Sequence, residues 1–302
     1  MHVLDGLTIP LVTAMESPGV PSAAAAEPLL AALARGGATS LMLLGSNGEG
    51  ALLPTSSIAS YLSQVTTMWR ALRPGGRVVI NVSAAGTAEL HQRASIALAA
   101  EPDALVVSPP GYFRHRDDEI VQHIRSLEQF GVPLVVYNVP SYANPLSVEA
   151  FEALAESPQV IGIKDSSGDL GLLTSFVEVA ARHPGLAVAQ GNETLLLAAL
   201  QAGAVGVVPG LGNIAPALVA EVIERYQAGD FAGAERSQHV LTLLTGIHQI
   251  RRGVPSVKAI LSNRNLIPAH SALPLAPCTG SEMAELEAFL EPFSDHLLAP
   301  KH

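Results

Sequence analysis

Lysine is rare in this chain of 302 residues, and one lysine stands where a surface charge is not expected. The sequence holds three lysines against fourteen arginines, so arginine supplies most of its positive charge. Lys164 ends an apolar, β-rich run at residues 160–163. Burial favours the neutral form of an amine, and a neutral amine is a nucleophile that condenses with carbonyl groups. Arginine stays protonated and cannot do this chemistry. The structural alternative is a lysine that snorkels to solvent or pairs with a carboxylate.

Two further polar groups stand at the ends of apolar runs. Tyr137 follows the run at residues 134–136, and a phenol there can relay protons during imine formation and C–C bond cleavage. The turn at residues 45–49 carries Ser46 and Asn47 among glycines, whose backbone N–H groups can form a nest for an anion. Taken singly, these features also fit a core tyrosine and an ordinary turn.

Other chemistries have weaker support in the sequence. The glycine-rich turn lacks the Gly-Lys-Ser/Thr of a phosphate loop and the G-x-G-x-x-G spacing of a dinucleotide turn. The ten histidines include no H-x-x-x-H pair, and the one cysteine, Cys278, cannot build a cysteine cluster or an intrachain disulfide. A G-x-S-x-G elbow for a serine hydrolase is also missing. We therefore expect no metal at the site.

The hydrophobic pattern predicts the elements that would position these groups. Short β-rich runs alternate with longer amphipathic segments rich in Ala and Leu. Strands are predicted at residues 7–13, 40–44, 77–82, 104–108, 133–138, 160–164, 186–190 and 204–208. Helices are predicted at residues 22–35, 55–72, 87–99, 117–130, 147–155, 169–181, 193–202 and 215–226. Eight such units favour an α/β fold of the (β/α)₈ TIM-barrel type over a doubly wound sheet.

A barrel would bring the candidate groups together, because active residues of TIM barrels lie at the C-terminal ends of the strands. Continuous apolar runs at 134–136 and 205–208 are typical of strands covered on both faces. Residues 229–302 show no strand pattern, and helices are predicted at 230–250, 256–263 and 281–290. We therefore expect a catalytic barrel at residues 1–228 and a C-terminal α-helical appendage, packed on it, at 229–302.

Composition limits the partners. Hydrophobic residues make up 48% of the chain and charged residues 15%, which favours a packed core over disorder. A net charge of −10 provides no basic footprint for nucleic acid. Residues 1–5 do not resemble a signal peptide, and glycines and prolines interrupt the uncharged stretch at 194–220, so no membrane partner is expected. The single cysteine is consistent with a cytoplasmic protein.

Together the three strand ends resemble those of the dihydrodipicolinate synthase/N-acetylneuraminate lyase superfamily of class I aldolases. Their order and spacing match, and the resemblance spans nearly the whole chain. It implies that Lys164 forms a Schiff base with pyruvate or another 2-oxo acid and that Tyr137 relays protons. The matching segments are Gly45-Ser46-Asn47-Gly48-Glu49, Tyr137-Asn138-Val139-Pro140 and Gly162-Ile163-Lys164-Asp165-Ser166-Ser167-Gly168-Asp169.

The resemblance implies further roles. Ser46 and Asn47 correspond to residues that hold the substrate carboxylate, partly through backbone N–H groups. Val208 corresponds to a residue whose carbonyl faces the bound oxo acid, and Gly191 lies nearby. Tyr112 matches a tyrosine that many members lend across a dimer interface, so a homo-oligomer, a dimer or tetramer, is expected. No metal or organic cofactor is required.

Departures from the family pattern concern the substrate. Dihydrodipicolinate synthases resemble Tyr-Asn-Val-Pro-x-Arg-Thr, and Tyr142 stands here in place of the arginine that holds the aldehyde's carboxylate. Gly-Ser-Asn-Gly-Glu is similar to the turn of 4-hydroxy-2-oxoglutarate aldolases. We therefore expect reversible aldol cleavage of a 4-hydroxy-2-oxo acid, such as 4-hydroxy-2-oxoglutarate or a 2-keto-3-deoxy sugar acid. The alternatives are 4-hydroxy-tetrahydrodipicolinate synthase, a dehydratase of a keto-deoxy sugar acid, and a non-catalytic ligand-binding paralogue. Retention of both Lys164 and Tyr137 argues against the last.

Overall fold

Eight parallel strands close into a barrel in a computed structural model that describes residues 2–299. The first strand pairs with both the second and the eighth, which closes the sheet. This arrangement confirms the predicted (β/α)₈ barrel and rules out the doubly wound sheet. The strands are β1 Gly6–Pro10, β2 Ser40–Leu43, β3 Arg77–Asn81, β4 Ala104–Val107, β5 Leu134–Asn138, β6 Val160–Asp165, β7 Ala187–Gln190 and β8 Gly206–Val207.

Helices follow each strand and surround the barrel, and four more complete the C-terminal region. The first eight are α1 Ala23–Arg35, α2 Ala59–Leu72, α3 Thr87–Leu98, α4 Asp117–Arg125, α5 Val148–Ala155, α6 Leu170–Arg182, α7 Leu196–Ala202 and α8 Pro216–Gln227. The C-terminal helices are α9 Phe231–Leu244, α10 Ile247–Ile250, α11 Val254–Asn263 and α12 Gly280–Leu290. In the part of the chain that is described, none of these helices is long and apolar enough to cross a membrane.

Apolar side chains fill two layers of core, because successive residues of a strand face opposite sides of the sheet. On β5, Leu134 and Val136 pack in the layer between strands and helices. Val135 and Tyr137 belong to the smaller cluster inside the barrel. Both faces of the strand are therefore covered, which explains its continuous apolar run.

The element boundaries differ from prediction where turn chemistry interrupts a periodic pattern. The predicted helix at 230–250 is divided, with α9 ending at Leu244 and α10 beginning at Ile247. Gly246 lies in this break, and a Cβ there would meet the Phe289 ring at 2.6 Å. Helix α12 therefore approaches too closely for a larger residue.

Similar corrections apply elsewhere. The predicted helix at 55–72 begins as a 3₁₀ turn, Thr55–Ser57, and the one at 117–130 ends as a 3₁₀ segment, Ser126–Phe130. The first strand ends at Pro10, not at residue 13. A short antiparallel hairpin, Met15–Ser17 with Val20–Pro21, was not predicted.

The C-terminal region packs against the barrel at several points. Helix α9 lies along α8. The Leu298 amide donates to the Ile214 carbonyl at 2.7 Å, close to the end of β8. At a second point, the Ala272 amide donates to the Glu49 carboxylate at 2.6 Å. The region therefore contacts the turn after β2 as well as the end of the eighth strand.

His123 on α4 makes stability depend on pH. Its side chain is buried, with Nδ1 2.9 Å from the Thr87 hydroxyl. Burial, together with the nearby His115 and His91, lowers its pKa from the ordinary value of 6.5 to about 4. Below pH 6.5, therefore, His123 becomes protonated in the unfolded chain but stays neutral in the folded chain until the pH approaches 4. The contribution of His123 to stability is lost progressively as the pH falls from 6.5 towards 4.

We expect His123→Gln to reduce the stability loss between pH 7 and pH 4 by about 3 kcal/mol, the free energy of such a shift. Urea unfolding of the variant and the parent protein at both pH values measures the difference. His239→Gln, at an exposed histidine, is the control. Equal losses in the parent protein and in His123→Gln would contradict the assignment.

Candidate active site

Parallel pairing of β5 with β6 places the two main candidate groups side by side. Tyr137 is the register partner of Lys164. Both side chains face the barrel interior and are almost fully buried, at 5% and 4% exposure. The Lys164 Nζ lies 4.2 Å from the centroid of the Tyr137 ring. The structure therefore brings together the lysine and tyrosine that the strand ends predicted.

The other neighbours of the Lys164 amine are apolar or small. Its Nζ lies 3.8 Å from the Met42 thioether sulfur on β2. A Cβ at position 191 would lie 2.8 Å from the Lys164 Cε and would also collide with the Ser166 hydroxyl, so Gly191 leaves the space that the lysine occupies. In the described chain, the amine contacts a ring and a thioether and not a carboxylate. This environment is unlike that of an ion-paired structural lysine.

The turn after β2 supplies the third predicted component. The Ser46 hydroxyl lies 3.3 Å from the Tyr137 hydroxyl, within hydrogen-bond distance. Ser46 is exposed and Asn47 half-buried, with its amide 3.0 Å from a Cβ built at Gly210. A continuous set of groups thus runs from Lys164 through Tyr137 to Ser46 at the C-terminal mouth of the barrel.

Two side chains donate hydrogen bonds to the backbone of the turn that carries Ser46 and Asn47. The Thr13 hydroxyl donates to the Gly48 carbonyl at 2.6 Å. The buried Arg93 guanidinium on α3 donates to the Gly50 carbonyl at 2.7 Å. Burial lowers the pKa of Arg93, and Glu89 opposes that effect. The turn that carries Ser46 and Asn47 is therefore anchored to the barrel and not a free loop.

A second polar pair lies directly behind the first. Asn138 and Asp165 are also register partners, and the Asn138 amide donates to the Asp165 carboxylate at 2.7 Å. The Ser167 hydroxyl donates to the same carboxylate at 2.8 Å, and the Leu146 amide donates to the Asn138 side-chain oxygen at 3.1 Å. Burial raises the pKa of Asp165, while the bonds from Ser167 and Asn138 lower it. The pair joins the ends of β5 and β6 just after Tyr137 and Lys164.

The remaining predicted residues occupy two different environments. Val208 follows β8, donates its N–H to the Gln190 carbonyl at 2.7 Å, and packs in the same inner cluster as Tyr137. Tyr112 and Tyr142, in contrast, are 94% and 73% exposed on loops after β4 and β5. Within one chain, the predicted residues on the barrel lie close together, whereas the rings of Tyr112 and Tyr142 are exposed to solvent.

Sequence reasoning did not single out Met42, Arg93 or the Asn138–Asp165 pair. The pair carried a usable signal, since each member directly follows a predicted site residue and in-register strands must also pair the next two positions. Met42 and Arg93 carried none, because local patterns do not reveal which side chains meet across a barrel. Within residues 2–299, no group of three or more His, Cys, Asp or Glu side chains could hold a metal ion.

The closed (β/α)₈ barrel is a TIM barrel, a fold whose enzymes carry their active sites at the C-terminal ends of the strands, where Tyr137 and Lys164 lie side by side. The chain belongs to the dihydrodipicolinate synthetase family, whose model matches residues 3–292. This family comprises lyases and synthases, so the protein is an enzyme of that kind.

Several relatives cover almost the entire chain. An uncharacterised DapA-like lyase of Halobacterium salinarum is 30% identical over 293 residues, covering 95% of this chain and 93% of the relative. A probable mitochondrial 4-hydroxy-2-oxoglutarate aldolase of Emericella nidulans is 27% identical, with 98% and 96% covered. A 4-hydroxy-tetrahydrodipicolinate synthase of Corynebacterium diphtheriae is 26% identical, with 93% and 91% covered.

A solved structure confirms the fold. The Escherichia coli protein YagE, a member of the dihydrodipicolinic acid synthase family crystallised in complex with pyruvate, superposes with a TM-score of 0.88. The match covers 96% of this chain and 98% of that one, at 22% sequence identity. The barrel and the helices after it are thus shared with this structure.

Asn138→Ala is expected to lower the free energy of unfolding by about 2–3 kcal/mol, because it leaves the buried Asp165 carboxylate and the Leu146 amide short of a partner. Urea unfolding at pH 7 measures the change. Asn263→Ala, which removes an exposed amide bonded to Glu287, is the matched control and should cost under about 0.5 kcal/mol. If both variants lowered the free energy of unfolding equally, the buried pair would contribute no more to stability than an exposed hydrogen bond.

Proposed function

We propose that the protein is a class I aldolase or lyase that binds a 2-oxo acid as a Schiff base on Lys164. The observation that carries the proposal is the environment of the Lys164 amine, which is buried, faces an aromatic ring and a thioether, and has no carboxylate partner in the described chain. An amine that is not paired with a carboxylate has its nitrogen free to attack a carbonyl group.

The proposed chemistry uses only side chains of the protein. The Lys164 amine attacks the C2 carbonyl, and loss of water from the adduct gives an imine. Once protonated, the imine accepts the electron pair of the breaking C3–C4 bond while the C4 hydroxyl gives up its proton, so that an aldehyde leaves and an enamine remains. A proton delivered to C3 and hydrolysis of the imine release the shortened oxo acid. Tyr137, with Ser46 at 3.3 Å, is suited to carry the protons of these steps.

The proposed substrate is a 4-hydroxy-2-oxo acid, such as 4-hydroxy-2-oxoglutarate or a 2-keto-3-deoxy sugar acid. Its carboxylate would bind at the turn of Ser46 and Asn47, where backbone N–H groups and a hydroxyl are available. Val208 and Gly191 would line the opposite side. The Emericella nidulans relative, a probable 4-hydroxy-2-oxoglutarate aldolase, supports this choice among the activities found in the family.

The second candidate is 4-hydroxy-tetrahydrodipicolinate synthase, the activity in the name of the Corynebacterium diphtheriae relative. It would need a group to hold the carboxylate of the second substrate. Tyr142, in the place where a cation is expected, offers one neutral hydroxyl on an exposed ring. A tyrosine cannot replace the planar, bidentate grip of an arginine on a carboxylate. This difference makes the synthase the weaker candidate.

We also propose that a second copy of the chain covers Tyr112. The Tyr112 and Phe113 rings are 94% and 68% exposed and stack edge to face with centroids 4.8 Å apart. Tyr112 also has a positive φ of 73°, a conformation that is uncommon for a non-glycine residue. An exposed aromatic pair held in such a backbone suits a homo-oligomeric interface close to the barrel mouth.

Borohydride added with pyruvate is expected to attach a stable mass to the peptide that contains Lys164, because reduction of the imine makes the adduct permanent. Mass spectrometry of the digested protein locates the label. Lys164→Arg should show no label, since a guanidinium cannot form the imine.

The matched pair Gly191→Ala and Gly86→Ala tests the geometry of the lysine in the same assay. A Cβ at position 191 meets the Lys164 side chain, whereas a Cβ at position 86 meets nothing within 4 Å. The first should slow labelling by about tenfold or more, and the second should leave it unchanged. A label on Lys258, or no label on the parent protein with any 2-oxo acid tried, would refute the proposal.

The enzyme is expected to condense pyruvate with aspartate semialdehyde poorly, although pyruvate is trapped efficiently. Loss of a charge-assisted contact of the kind that an arginine makes costs about 1.5–3 kcal/mol, or roughly tenfold to over a hundredfold in binding. A kcat/KM below about 10⁴ M⁻¹s⁻¹, the low end for ordinary enzymes, is the expected steady-state result. Tyr142→Arg should raise whatever condensation is seen, and Tyr142→Phe is the matched control. A kcat/KM well above that value in the parent protein would reinstate the synthase.

A further inference from the structure

Lys258 forms a buried ion pair with Glu49. Lys258 lies on α11 in the C-terminal region, and Glu49 ends the Gly-Ser-Asn-Gly-Glu turn after β2. Both side chains are completely buried. Burial lowers the pKa of Lys258, and the Glu49 carboxylate opposes this effect. The two charged groups, 209 positions apart in the chain, thus satisfy each other inside the protein.

Both partners make additional hydrogen bonds to one segment of backbone. The Lys258 Nζ donates to the His270 carbonyl at 2.7 Å. The second oxygen of the Glu49 carboxylate accepts the Ala272 amide at 2.6 Å. The pair therefore joins three parts of the structure: the turn after β2, helix α11, and the chain that follows this helix.

The pair adds a third anchor to this turn, beside the contacts made by Thr13 and Arg93. Glu49 has a φ of 56°, in the left-handed region that is uncommon for residues other than glycine. Its N–H donates to the Ser46 carbonyl at 3.1 Å, which closes the turn around the residues that face the site. Such a conformation persists only where the surroundings hold it. Movement of Glu49 would thus be transmitted to Ser46 through one turn of backbone.

A contribution to the stability of the fold does not by itself explain why this ion pair is present. Two charges removed from water cost free energy, and apolar replacements of buried ion pairs are often neutral or stabilising. The location of the pair is a better explanation, because Glu49 belongs to the same turn as Ser46 and Asn47. The pair does not touch the Lys164 amine in the described chain.

We propose that Lys258 and Glu49 are positioning residues through which the C-terminal region holds the turn of Ser46 and Asn47 in the conformation that binds the carboxylate of the 2-oxo acid. This inference rests on the proposed function. Neither residue contacts the reacting atoms. The pair acts on binding of the substrate, whereas Lys164 and Tyr137 carry out the bond-making steps.

Lys258→Met separates these roles. Borohydride trapping on Lys164 is measured over a range of pyruvate concentrations, which yields a half-saturating concentration and a limiting rate. We expect the half-saturating concentration to rise about tenfold or more and the limiting rate to stay within about threefold. Arg264→Met is the control. Arg264 lies just beyond the same helix, and its guanidinium donates to the Leu298 carbonyl. Its loss should change neither the half-saturating concentration nor the limiting rate by more than about twofold.

A ketone without a carboxylate makes the test specific. Acetone can form an imine with Lys164 but has no group for the turn to hold, so parent protein and Lys258→Met should be trapped by acetone at rates within about twofold. An equal defect with acetone and with pyruvate would show that the variant disturbs the lysine or the whole barrel, and would overturn the proposal.

A second variant keeps the test decisive if Lys258→Met fails to fold because Glu49 is left buried without a counter-charge. Glu49→Gln with Lys258→Met removes both charges, and the glutamine oxygen can still accept the Ala272 amide. This double variant should fold and again show the raised half-saturating concentration for pyruvate only. Saturation at the parental concentration in either folded variant overturns the inference. No labelling of Lys164 in the parent protein is a separate result, which contradicts the proposed function itself.

Discussion

The parallel pairing of β5 with β6, in regular register from Val135 to Asn138, is the constraint on which the site depends. It sets Tyr137 beside Lys164 inside the barrel and, one position later, Asn138 beside Asp165. Since side chains alternate along a strand, a slip of one residue would exchange the inward and outward sets. The hydrogen bond from Asn138 to Asp165 opposes that slip at the point where the strands end. The outer pair therefore secures the geometry of the inner one, in which Lys164 has no carboxylate partner in the described chain.

Two of the three lysines are buried in the described chain, and their surroundings give them opposite properties. Lys258 meets the Glu49 carboxylate and a backbone carbonyl, so its charge is balanced and two of its three N–H donors have acceptors. Lys164 meets a ring and a thioether, which offer a weaker partner to a charged amine than a carboxylate does. One amine is paired with a carboxylate, and the other has no carboxylate partner in the described chain. The contrast depends on a single carboxylate, supplied by the turn that is proposed to bind the substrate.

Much of the fold was predictable because the relevant signals are local. Apolar runs separated by amphipathic segments located all eight strands, and strand order in a barrel then placed residues 137 and 164 next to each other. Strand and helix ends were less accurate, since 3₁₀ turns and close contacts such as that of Gly246 with Phe289 depend on neighbours in space. For the same reason the contact of Lys258 with Glu49 could not be predicted. Helix α11 is buried from Val254 to Leu261, so no polar face marked the lysine as paired.

The two ends of the site differ in how firmly the structure holds them. At the barrel end, Tyr137, Asn138, Asp165 and Glu49 are buried and make hydrogen bonds to neighbouring elements. At the other end, Tyr112 and Tyr142 stand on loops with their rings in solvent, and Asn144 links those loops through bonds to the Pro110 and Phe113 carbonyls. Barrel enzymes commonly keep their chemistry on the strands and vary recognition through the loops. A change of second substrate can therefore arise from the loops after β4 and β5 while the lysine, the tyrosine and the turn after β2 stay as they are. The relatives of this chain share nearly its whole length and include both a probable aldolase and a synthase, as such a division allows.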